Sequence, residues 1–163
     1  MAETDKEREE RERREREEKE RRQREYDGLC SQKSQNDKDQ ASVQAKIDDL
    51  DSKINLMQKA YDNLDAAKEG LKDVRSAIKK MPGVYDNTWK GKVAEEEIYA
   101  TCKKDGSLYT SYTSYIDSID EIQDALNLKL TALENERLEQ KGILGKLAAL
   151  GNSLWTRIQN FFN

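Results

Sequence analysis

The sequence predicts an all-α protein: a long antiparallel helical hairpin of coiled-coil character, with a charged N-terminal helical extension and a short C-terminal amphipathic helix. Three observations carry this. Charged residues make up 38% of the 163-residue chain and hydrophobic ones only 35%, too polar a balance for one large core but usual for long helices. Val43, Leu50, Met57, Leu64, Leu71 and Ile78 recur every seventh residue without a break. A single proline, Pro82, falls between that series and a second apolar series of nearly equal reach.

The elements follow in order. Residues 1–42 read as the charged extension. Glu3 to Glu25 holds ten basic and eleven acidic residues, and pairs such as Glu7/Arg11, Glu12/Arg16 and Glu20/Arg24 set the acid four residues before the base. That spacing supports a helix by about 0.2 to 0.5 kcal/mol a pair without burying anything. Gly28 and the turn-prone residues after it suggest a loosened joint over 26–40.

Residues 43–140 read as the hairpin. On its first arm the companions of the heptad series are Ile47, Ile54 and Tyr61, and then Ala67, Val74 and Met81, as though the stripe drifts around the helix. Pro82 and Gly83 predict the stop, and Asn87 or Thr88 the cap of the next helix. On the second arm Ala94, Ile98, Leu108, Tyr112, Tyr115, Ile119, Ile122, Leu126, Leu130 and Leu133 share a face. The heptad phase survives Lys104-Asp105-Gly106-Ser107, which therefore predicts a bend and not a new chain direction. Tyr109 and Ile116 lie beside that stripe and widen it, either as a docking edge or as flanks of the internal seam.

Residues 141–163 read as a tail helix with no acidic residue. Leu147, Leu150, Leu154, Ile158 and Phe161 line one face, and Trp155 and Phe162 add aromatic area. Leu154, Trp155, Ile158, Phe161 and Phe162 join Tyr109 and Ile116 as the candidate partner interface. A tail of this kind suits a docking helix, a cover for the open end of the hairpin, or a membrane surface.

Several function classes find no support. With no histidine, the chain lacks the commonest general base and zinc ligand, and Ser107, Ser111 and Ser114 have nothing of that kind to activate them. No phosphate-binding glycine loop or EF-hand spacing occurs. We therefore expect no catalytic site, no cofactor and no metal. A formal charge of -4 with no basic aromatic stripe argues against nucleic acid. No apolar run approaches the ~20 residues of a membrane span, and the amino terminus is charge-saturated where a signal peptide needs an apolar segment. The expectation is a cytoplasmic protein. Cys30 and Cys102 form no CxxC pair, and a hairpin would hold them too far apart for a disulfide.

Trp89-Lys90-Gly91 stands at the midpoint of the two arms. A Trp-x-Gly tripeptide in the connection of a helical hairpin resembles the WXG-motif family of type VII secretion proteins. The charged leading helix, the "TWKG" junction, the Tyr/Ile-rich second arm and the glycine-interrupted tail look closest to its YwqH-like branch, over about Val43 to Asn163. The resemblance implies a non-enzymatic protein of Gram-positive bacteria that pairs with another small helical hairpin, here the helical targeting domain of an LXG-type toxin. The complex would be presented to the type VII secretion machinery, and two expectations stay open: export with the partner on the partner's signal, or an adaptor that stays behind. Trp89 and Gly91 match the motif and become candidate turn and recognition residues. The family's Tyr-x-x-x-Asp/Glu export signal is missing after the second helix; Tyr61 to Asp65 fits its letters but belongs to the first-arm seam. A different class also stays open, a self-associating coiled-coil scaffold that touches membrane through the tail.

Overall fold

A computed structural model of the chain describes residues 5–85, 91, 96–97 and 99–162, with side chains 82–85 outside the description. Among the described residues three α-helices follow one another: α1 (Asp5–Tyr85), the four-residue α2 (Tyr99–Cys102) and α3 (Ser107–Gln159). No strand occurs among the described residues. The predicted start of the second arm, with Asn87, Thr88, Ala94 and Ile98, lies outside them, as does Trp89.

α1 ends three residues beyond Pro82, where the sequence suggested its stop. Proline deletes one amide donor, yet the turn after it still has donors for the carbonyls before it. α1 also passes unbroken through 26–40, where a joint was expected. Side-chain pairs at i,i+4 span that stretch: Lys33 with Asp37, Gln35 with Asp39, and Gln40 with Asn36. The residues that suggested a turn instead satisfy one another on the helix surface. Further out, Arg8–Glu12, Arg11–Glu15 and Arg13–Glu17 approach to 3.7–3.8 Å on a solvated helix.

The chain divides into two compact units, Met1–Asp49 with Arg137–Asn163, and Leu50–Glu136. Each is an antiparallel pairing of α1 with α3. In the second unit Lys68 meets Asp120 and Arg75 meets Thr113, so a step of seven up one helix is a step of seven down the other. Its apolar centre is Leu50, Ile54 and Leu133, with Met57 and Leu130 packed on it. In the first unit Asn36 meets Leu147 and Tyr26 meets Phe161.

The side chains turned inward follow strict heptads. On α1 one row comprises Leu29, Asn36, Val43, Leu50, Met57, Leu64, Leu71 and Ile78, all buried or half-buried. The second row, four positions on, comprises Lys33, Gln40, Ile47, Ile54, Tyr61, Lys68 and Arg75. The expected drift to Ala67, Val74 and Met81 does not occur, for those three are exposed. Lys68 and Arg75 hold the phase instead, because a long aliphatic stem lies on apolar surface while its charged head reaches a partner.

α3 shows the same shift. Its inward rows are Tyr109, Ile116, Gln123, Leu130, Arg137, Leu144, Gly151 and Ile158, and Tyr112, Ile119, Leu126, Leu133, Gln140, Leu147, Leu154 and Phe161. Leu108, Tyr115 and Ile122, expected in the seam, are exposed. The tail continues α3 without a break through Gly142, Gly145 and Gly151.

The turn between α2 and α3 falls where the bend was expected. Asp105 adopts φ 73°, and the Gly106 amide donates to Lys103 O at 2.8 Å. A Cβ on Gly106 would stand 2.4 Å from Thr101 O, so only glycine admits this close approach of backbone.

Candidate functional site

The second unit has two unlike edges to its seam. In an antiparallel pair, residues at the same heptad position on the two helices fall on the same face. One face therefore carries the second row of α1, the first-named row of α3 and their neighbours, and it is polar. Lys68 Nζ pairs with Asp120 and also approaches Gln123 Oε1 at 3.4 Å. Gln123 is 4% exposed and donates to Asp65 Oδ1 at 3.4 Å. Arg75 donates to Thr113 Oγ1 at 3.2 Å and sits over the Tyr109 ring, 5.5 Å from its centre. The hydrogen bond to Asp120 raises the Lys68 pKa above its ordinary value against the opposing effect of burial.

The other face is apolar. Ala67, Val74 and Met81 occupy one heptad row of α1, and Leu108, Tyr115 and Ile122 the matching row of α3; all six are exposed. The antiparallel pairing sets them at three matching heights, Met81 with Leu108, Val74 with Tyr115, and Ala67 with Ile122. Val74 is 42% and Tyr115 60% exposed, large values for apolar side chains beside a seam. Tyr115 meets Tyr112 edge to face at 6.3 Å, which directs its ring. Outside this strip lie Gly70 and Ala77 on α1, and Ser111, Ser118 and Ala125 on α3, all exposed and small. They form ledges on which another helix can approach closely.

The first unit is closed differently. Asn36, 3% exposed, donates Nδ2 to Leu147 O at 3.1 Å and accepts from Gln40 Nε2 at 2.6 Å. Gly151 makes room for them, since a Cβ there would stand 2.7 Å from Asn36 Oδ1 and 2.9 Å from Gln40 Nε2. Toward the chain ends Tyr26 contacts Phe161 and Phe162, with ring centres 5.7 and 5.0 Å away. A shallow open groove beside them is lined by Tyr26, Cys30, Ala41, Trp155 and Ile158, with the Lys33–Asp37 pair at its edge.

The sequence-derived site residues thus separate. Ile116 is buried inside the second unit, and Tyr109 is half-buried under Arg75, so the docking edge they suggested is the internal seam. The displayed edge is the neighbouring row, Leu108, Tyr115 and Ile122. Leu154 is buried, Ile158 and Phe161 are half-buried, and Trp155 and Phe162 are exposed. Gly91 is exposed, and Trp89 lies outside the described residues. Tyr61 is half-buried in the second row of α1, an internal place for the tyrosine of the Tyr61–Asp65 match. Cys30 and Cys102 are both free thiols.

Among the described residues no helix is long and apolar enough to cross a membrane, and no group of three or more Cys, Asp or Glu is arranged to hold a metal ion. No curated protein and no solved structure matches the chain. A family model does match, over residues 31–152, which include the polar clasp of the first unit and the whole apolar strip of the second. An all-helical chain matched over well more than half its length by that model belongs to the YwqH-like family.

Proposed function

We propose that this protein is a non-enzymatic adaptor whose helical hairpin pairs with the helical targeting domain of an LXG-type toxin and presents it to a type VII secretion machinery. The observation that carries the reading is the apolar strip of the second unit. A two-helix protein that needed only itself would turn Val74, Met81, Tyr115 and Ile122 into the seam and leave Lys68 and Arg75 in water. This chain does the reverse, and leaves six apolar side chains available to a partner. Membership of the YwqH-like family supports a helical, secretion-associated role. Trp89 and Gly91, which match the Trp-x-Gly motif in sequence, would then be a second recognition element for partner or machinery. The protein would work in the cytoplasm and leave the cell, if it leaves, with its partner.

Size-exclusion chromatography of the purified chain with that toxin domain is the test. A single co-eluting complex at micromolar concentration is expected, and separate elution at that concentration contradicts the reading.

The membrane-scaffold alternative gains little from the tail. Leu154 is buried and Phe161 is held against Tyr26. Exposed Leu150 and Trp155 are five residues apart, about 140° around the helix, so they do not form one insertion face.

A further inference from the structure

We infer that residues 5–25 are a self-supporting strut: a rigid single helix, held by its own ion pairs, that needs no partner helix. It holds Asp5, and with it the point where any preceding segment attaches, about 30 Å beyond Tyr26.

The strut gets no help from burial. From Asp5 to Glu25 there is no apolar side chain, and every residue is exposed. α3 ends at Gln159, and Phe161 and Phe162 already lie against Tyr26, so among the described residues no helix runs beside the arm. Phe162 reaches its base, beside Arg22 and Gln23. Nucleation falls to the packed part of α1, so each arm residue has only to propagate the helix. Glu, Arg, Lys and Gln do this well, and the arm holds no Gly, Pro or β-branched residue.

The order of the charges separates a strut from an ordinary solvated charge run. Fifteen of the seventeen i,i+4 steps between Asp5 and Glu25 join opposite charges, and among them only Asp5/Glu9 joins like ones. At i,i+3 like charges are common, as in Glu7/Glu10, Arg8/Arg11 and Glu9/Glu12. A disordered tract has no reason to favour the one spacing over the other, whereas a helix sets i,i+4 side chains together. Arg8–Glu12, Arg11–Glu15 and Arg13–Glu17 meet at that spacing in the structure.

The same residues exclude other uses. Ten basic and ten acidic side chains from Asp5 to Glu25 leave no net field to draw a charged partner, and the absence of an apolar row leaves no seam for another helix. Length and stiffness remain. The arm also lies outside residues 31–152, the part matched by the family model, so the inference stands apart from the adaptor reading.

The test is double electron–electron resonance on the full chain, with spin labels at Lys6→Cys and Ser31→Cys in a Cys30→Ser/Cys102→Ala background. The labelled positions are 25 residues apart, about 38 Å along a helix and within about 20° of one face. A flexible chain of that length averages about 25 to 30 Å with a broad spread. A second form adds Glu12→Arg/Arg13→Glu and Glu20→Arg/Arg21→Glu, which keeps the composition and turns eight of the opposite-charge steps into like-charge ones. The expected result is one narrow distance near 38 Å in the first form, unchanged by tenfold dilution, and a shorter, broad distribution in the second. In a chain with both native cysteines, the same fourfold exchange should remove roughly a tenth of the helical ellipticity while the melting temperature holds. A broad distribution centred at about 30 Å or below in the first form overturns the inference. So does an equally narrow peak after the exchange, or unchanged ellipticity, since the ion pairs would then not hold the helix. A narrow peak that is lost on dilution identifies pairing between chains and overturns it too.

Discussion

The two units use the same heptad phase for different ends. In the first, the polar group is central: Asn36 and Gln40 sit inside the seam, close on the Leu147 carbonyl, and need a glycine opposite them. In the second, the polar groups are lateral, with Lys68, Arg75, Asp120 and Gln123 along one face, and the face opposite is apolar and open. A central asparagine specifies how a helix pair matches itself, because any other alignment strands its amide away from partners. A lateral polar edge leaves the other edge free to match something else. One unit is thus suited to internal alignment, and the other leaves an apolar edge open, the edge proposed above for external contact.

Four measurements sharpen or break that contrast, in order of expected effect. Ile54→Ala, in the apolar centre of the second unit, should cost about 3 kcal/mol by chemical denaturation, as deletion of a fully buried aliphatic side chain does. A cost below about 1 kcal/mol would mean the second unit is not held by this centre. Next, Gly106→Ala should cost about 2 kcal/mol, since the added methyl meets the Thr101 carbonyl and not a side chain that can move away. Gly142→Ala, with open space at the same atom, should gain about 0.5 to 1 kcal/mol from helix propensity alone.

Asn36 gives the third. Asn36→Ala should cost about 1 to 2 kcal/mol, leaving Gln40 and the Leu147 carbonyl short of a partner. Asn36→Leu should restore or exceed wild-type stability but yield several species by native electrophoresis, because the apolar row no longer prefers one alignment. A single species from Asn36→Leu would remove the alignment role. The smallest effect belongs to Lys68. Its pKa is raised in the folded state, chiefly by the hydrogen bond to Asp120, so its contribution is fully present below the unfolded-state value of about 10.4 and is lost as pH rises through the folded value. Melting temperature should therefore fall more steeply above about pH 10.5 in the wild type than in Lys68→Met.

Much of this was legible in the sequence, and the misses have a common cause. The seven-residue spacing of Val43 to Ile78 fixed the first row of α1, and the break at Lys104–Ser107 was visible from Asp105-Gly106. The second rows were misjudged because hydropathy ranks Val74 and Met81 above Lys68 and Arg75 as seam residues, and takes no account of an aliphatic stem whose charged head finds a partner. The same bias exchanged Tyr115 and Ile122 for Ile116 and Gln123 on α3. Asn36 and Leu29 do continue the first row at seven-residue steps before Val43. An asparagine in that series, among turn-prone neighbours, reads as an interruption until the Leu147 carbonyl opposite it is known. The signal that would have found the open face was the count of charged residues with long stems falling on one heptad position.

The most direct test of the central claim, that the second unit recognises its partner through the apolar face, is site-specific photo-crosslinking with a benzophenone side chain at position 115 and, separately, at position 117. With the toxin's helical domain present, crosslinking is expected from 115 and not from 117. Equal yields from the two positions, or a product from 117 alone, would contradict the account.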